Sequence, residues 1–152
     1  MRLAIDAVAA NREIRTGAGE YAFRLLTSMM KETRPSEEVF LYTEAPLGDF
    51  WPTLPNTWKS RVLPWSLHGW ATARLTVELL TQKPDVTFFP SSAPPLFSPS
   101  RRNHRRASVA TVHDVGFMRL PQVYASSDRF RQRRSVRRMI KKCAHLLAVS
   151  EF

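Results

Sequence analysis

RLAIDAVAANREIRTGAGEYAFRLLTSMMKE, residues 2–32, decides how the chain is read. Residues 2–8 are mostly apolar without strict alternation, as in a strand buried on both faces. A polar loop, 9–16, follows. Ala18, Tyr21, Ala22, Leu25, Leu26, Met29 and Met30 then recur at the spacing of an amphipathic helix. Thr16 suits its N-cap, Glu20 its first turn and Lys31 its last, and Pro35 with Ser36 stops it. An apolar strand, a loop and an amphipathic helix in that order open a strand–helix–strand unit.

The pattern repeats along the chain. EVFLYT (38–43), SRVLP (60–64), DVTFF (85–89), ASVATV (107–112) and HLLAVS (145–150) read as short strands. Residues 67–82, stopped by Pro84, and 128–144 read as helices. Residues 44–58, 90–106 and 115–127 read as loops. This order predicts an α/β fold: a doubly wound, mostly parallel sheet joined by crossover helices. At 152 residues one domain is expected, large enough to bury a core without staples. The final strand is followed only by Glu151 and Phe152, without a helix to cover it. The expectation is that residues 1–152 form one incomplete domain of a longer product.

Composition narrows the class. An apolar fraction of 43% and an aromatic fraction of 11% argue against wholesale disorder. The single Cys143 excludes an internal disulfide and cannot form a zinc site alone. The four histidines lack ligand spacing, so no metal is expected. No apolar run approaches the ~18 residues of a membrane span. Asp6 interrupts the opening apolar stretch, so it does not read as a secretory leader, and a cytoplasmic protein is expected.

The net charge of +10 sits entirely in residues 101–152, because residues 1–100 balance ten basic against ten acidic side chains. The excess comes from RRNHRR (101–106) and RFRQRRSVRRMIKK (129–142). Such density either keeps a helix face solvated or meets an anionic partner: nucleic acid, anionic lipid or a phosphorylated substrate. From the second burst onward Val136, Met139, Ile140, Cys143 and Leu147 continue one apolar stripe, of which Met139 and Ile140 are expected to pack on the sheet. Arg131, Arg134, Arg138 and Lys142 are candidates for contact with an anionic membrane surface, with the protein peripheral on the inner face of the cytoplasmic membrane.

In open α/β sheets, ligands bind beyond the carboxyl ends of the strands. Three places qualify. Arg15, Thr16, Gly17 and Gly19 open the first helix, where unpaired N–H groups and the helix dipole favour a phosphate or sugar. The glycines either admit that ligand or let the helix pack closely on the sheet. The string also fits G-x-G-x-x-A, but it lies about eight residues from its strand rather than directly after it. His113 and Asp114 end the strand ASVATV; His113 suits a general base or a donor to a substrate hydroxyl. Asp114 either orients that histidine or caps the following turn. Ser150 follows the last strand and serves either as the N-cap of a following helix or as a ligand contact.

Taken together, RLAIDAV, TGAGEY, PDVTFFPSSAPPL, TVHDVGF and LAVSEF resemble, in order and spacing, the N-terminal domain of family 4 glycosyltransferases. The resemblance spans the whole chain and is nearest to bacterial mannosyltransferase-like members of surface-polysaccharide synthesis. It implies the GT-B architecture of two Rossmann-like domains, with this one on the acceptor side. It implies a retaining transfer from a nucleotide-sugar to a glycan or lipid-linked acceptor, with no other cofactor. Gly17 and Gly19 would lie at the cleft near the donor diphosphate, and His113 near the transferred sugar. The donor would bind a C-terminal domain that is absent here, so residues 1–152 alone are expected to show no turnover. Val8 and Glu20 depart from the residues common in the family, which bears on acceptor identity.

Two rival classes stand beside this reading. A dinucleotide-binding oxidoreductase domain would bind NAD or NADP. A nucleic-acid-binding module would show a steep salt dependence, but no helix-turn-helix or RNP-type string is present.

Overall fold

The computed structural model describes residues 1–64, 73–95 and 106–149. Six strands form one sheet: β1 (Arg2–Asp6), β2 (Glu38–Thr43), β3 (Trp58–Val62), β4 (Val86–Phe89), β5 (Ala107–Val112) and β6 (His145–Ala148). All are parallel, in the order β3-β2-β1-β4-β5-β6. The α/β, Rossmann-like doubly wound sheet expected from the sequence is therefore the fold.

Each crossover lands on the face its apolar stripe can cover. Helix α1 (Gly17–Glu32) packs Ala22 and Leu26 against Ile5, Leu41, Val39 and Phe88 on one face. Helices α2 (Arg74–Gln82) and α4 (Ser126–Lys142) pack Leu75, Leu79 and Met139 against Ala4, Tyr42, Phe89 and Ala110 on the other. The central strands are nearly continuous apolar runs because both faces are covered.

Several boundaries differ from the sequence reading. β1 stops at Asp6 rather than Val8, because the chain turns there and Val8 N–H donates to the Asp6 carboxylate at 3.2 Å. β3 is WKSRV (58–62) rather than 60–64; Trp58 opposes Val39 and its indole donates to Thr33 Oγ1 at 3.0 Å. The loop expected over 115–127 contains helix α3 (Gly116–Arg119) and a 3-10 turn, Pro121–Val123. α4 begins two residues earlier and ends two earlier than expected. β6 ends at Ala148, not Ser150. Residues 67–72 of the expected second helix, most of RRNHRR, and Ser150 with Glu151 lie outside the described residues.

Candidate functional site

The chain runs from β1 to β2 on one side and later returns to place β4 on the other. The loops after β1 and β4 therefore diverge, and the sheet opens a crevice at that switch point. Buried Asp6, at the end of β1, accepts from the Ser92 hydroxyl beyond β4 at 2.6 Å. That bond and the one from Val8 N–H tie the two diverging loops together. Burial pushes the Asp6 carboxyl above the usual carboxylate range, against the two hydrogen bonds that lower it; nearby Glu44 adds to the rise.

A cavity of about 270 Å³ opens beside this clamp, lined by Ala18 of α1, Ser92, Thr111, His113, and Gln132 with Ser135 on the inner face of α4. His113 Nε2 donates to the Pro90 carbonyl oxygen at 2.7 Å. A carbonyl can only accept, so in the neutral ring the proton is on Nε2 and Nδ1 is the acceptor. Tyr21 packs edge-on against the imidazole, with centroids 5.0 Å apart, and fixes its plane. Thr111 Oγ1 is buried without a hydrogen-bond partner among the described residues.

The sequence candidates separate here. Thr16 is the N-cap: its hydroxyl accepts from Gly19 N–H at 3.3 Å. Gly19 is a packing glycine, since a Cβ there would lie 2.8 Å from the Ala9 carbonyl oxygen. Gly17 is exposed with open space where a Cβ would go, so a ligand can reach its backbone. Arg15 does not join the cavity lining. Its guanidinium lies between the rings of Phe23 and Phe50, 4.0 and 4.3 Å from their centroids, and Nε donates to the Ala10 carbonyl. It holds the loop after β1 against residues 44–52. Asp114 takes the capping role: it accepts from Gly116 N–H at 2.5 Å and from the Tyr124 hydroxyl at 2.9 Å. Those bonds hold its carboxyl below the usual range, and the same pairing raises the Tyr124 phenol.

Arg134 stands exposed on the outer face of α4. Arg131 pairs with Asp128 on the same helix, and Arg138 donates to the Pro94 carbonyl at 3.3 Å, tying α4 to the segment after β4. Lys142, the last residue of α4, is half-buried and with Arg134, Arg137 and Arg138 lines a groove on that outer face. Of the expected apolar stripe, Met139 and Cys143 are buried, and burial raises the Cys143 thiol to about 11. Ile140, expected on the sheet, is 54% exposed, and Leu147, read as continuing the stripe, belongs to β6 and is 41% exposed. Among the described residues no cluster of His, Cys, Asp and Glu is placed to hold a metal, and no helix is long and apolar enough to cross a membrane.

The sequence reading missed Asp6, Ser92, Tyr21 as a partner of His113, and Thr111. Only Asp6 carried a signal: an acid at the carboxyl end of an otherwise apolar strand. Comparison with family models, with curated proteins and with solved structures finds no match to this chain.

Proposed function

We propose that this domain is the acceptor-side half of a retaining glycosyltransferase, with a second domain supplying the nucleotide-sugar. The observation that carries the reading is His113, oriented by Pro90 and Tyr21 over a small polar-edged cavity at the switch point. A sugar presents many hydroxyls, and Nδ1 of His113 is an acceptor for one of them. The start of α1, with Gly17 open, supplies backbone N–H groups and a positive dipole for the diphosphate that leaves. In this reading His113 positions the sugar or acceptor and forms no covalent bond to it. The sequence resemblance, with a mannose-type donor and a surface-polysaccharide acceptor, supplies the substrate class.

A dinucleotide-binding oxidoreductase domain is the second reading, favoured by the strand order, which is that of dinucleotide-binding sheets. Against it, a Cβ on Gly19 would lie 2.8 Å from the Ala9 carbonyl oxygen, so the missing side chain of that glycine serves the close approach of helix and loop rather than a pyrophosphate.

Ligand-observed NMR on the chain separates the two. Short mannose-containing glycans are expected to contact the wild type, and His113→Ala to weaken them roughly tenfold, the worth of one hydrogen bond. Because His113→Ala also loses the Pro90 bond and the Tyr21 contact, its melting temperature should fall by a few degrees, and binding is compared at a temperature where both proteins are fully folded. Protection by NAD or NADP, with no response to glycans, would overturn the transferase reading.

A further inference from the structure

We infer that the outer face of α4, together with the exposed apolar residues before it, is a docking surface for an anionic lipid bilayer. This does not rest on the transferase reading. Helix α4 carries eight basic residues and one acid, Asp128, which pairs with Arg131. Gln132, Ser135 and Met139 face inward to the cavity and core. At 3.6 residues per turn, Phe130, Arg134, Arg137 and Lys141 fall on the opposite side. There they line a groove of about 540 Å³ formed by Phe130 and cations, with no acid. The stripe runs for roughly 18 Å at 1.5 Å per residue.

Charge alone does not choose between lipid and nucleic acid; the apolar residues do. Met118, Leu120 and Val123 are 57%, 53% and 72% exposed, and Phe130 is 66% exposed. Their segment is tied to the first turn of α4 by Arg129, whose guanidinium donates to the Pro121 carbonyl at 3.1 Å. Phe130 is a single aromatic face, thin provision for stacking successive bases, and Met118, Leu120 and Val123 offer none. They suit the boundary between headgroups and acyl chains, where basic residues gain from anionic lipid. Because the inner face of α4 lines the cavity, a bilayer on its outer face would lie one helix diameter, roughly 10 Å, from His113.

Co-sedimentation of the full chain with vesicles tests this. Vesicles of phosphatidylcholine alone are compared with vesicles containing about 30% phosphatidylglycerol, at about 0.15 M salt, where exposed charges are largely screened beyond ~8 Å. Binding to the anionic vesicles is expected to be at least about tenfold tighter. Arg134→Glu/Arg137→Glu/Lys141→Glu should abolish the difference, and Leu120→Ser/Val123→Ser should weaken binding severalfold. These side chains are exposed, so folding is checked by circular dichroism; if the triple variant unfolds, Arg137→Glu and a salt titration of the wild type give the same readout. Equal binding to both vesicles overturns the inference. So does tighter binding to an oligonucleotide, unchanged by Leu120→Ser/Val123→Ser, which would assign the surface to nucleic acid.

Discussion

Asp6 ends β1 and Asp114 lies two residues past β5, both on the carboxyl side of the sheet, yet the fold treats their charges oppositely. Asp6 is 5% exposed, and burial outweighs its bonds to Ser92 and Val8, so its carboxyl is raised. Asp114 is exposed, and the Gly116 N–H and Tyr124 hydroxyl lower it. A raised carboxyl contributes stability that is full below its unfolded pKa and is lost as pH rises through the folded value. A lowered one contributes stability present above its unfolded pKa and lost as pH falls through the folded value. Asp6→Asn keeps one acceptor oxygen, for Val8 N–H, and turns its NH2 toward the Ser92 hydroxyl oxygen, which can accept, but it cannot ionise. Its melting temperature relative to wild type should therefore climb as pH rises from the unfolded carboxyl pKa, about 3.9, through the raised folded value. A difference independent of pH would show that Asp6 is not desolvated as its position requires.

At the scale of elements, α4 shows what periodicity carries and where it fails. Met139 and Cys143 correctly give the face that meets the sheet, and Val136, within the same narrow arc, lines the cavity. Ile140 is one residue past Met139, about 100° round the helix, and nothing in the pattern shows that the arc ends before it. Met139→Ala should cost about 2–4 kcal/mol, whereas Ile140→Ala, at an exposed position, should cost under about 0.5 kcal/mol. Denaturant melts of the two variants check this; similar losses would mean that α4 is rotated from the orientation described. The central strands were legible for the same reason: they are apolar on both faces. β3 was misplaced by two residues because, as an edge strand, it exposes Lys59 and Ser60 and is held instead by Trp58. The site was only partly legible. His113 and the start of α1 are local to their strand and helix. The Asp6–Ser92 bond joins residues 86 apart and exists only through the strand order.

Across the whole molecule, the two faces of the sheet are not equally covered. Described helices α2 and α4 cover one face, while on the other α1 covers the β1 side. Beyond α1 an apolar groove of about 310 Å³ runs from Leu25 and Met29 over Phe88 and Val109 to Leu147. It ends at β6, an edge strand whose residues are all exposed, and such an edge invites pairing with another chain. The net charge of +10 opposes that encounter. Repulsion between exposed charges is screened beyond about 10 Å at 0.1 M salt and about 3 Å at 1 M, whereas apolar contact is not. Self-association should therefore increase with salt, the reverse of an ion-pair interface. Leu147 is 41% exposed, and its backbone is already paired with Thr111. Leu147→Lys thus removes apolar surface and adds repulsion without disturbing the ladder. Sedimentation velocity over a concentration series should show the wild type associating at high salt and Leu147→Lys remaining monomeric. If the variant associates as readily as the wild type, the edge and groove are not the sticky surface, and exposed Leu120 and Val123 before α4 become the next residues to substitute.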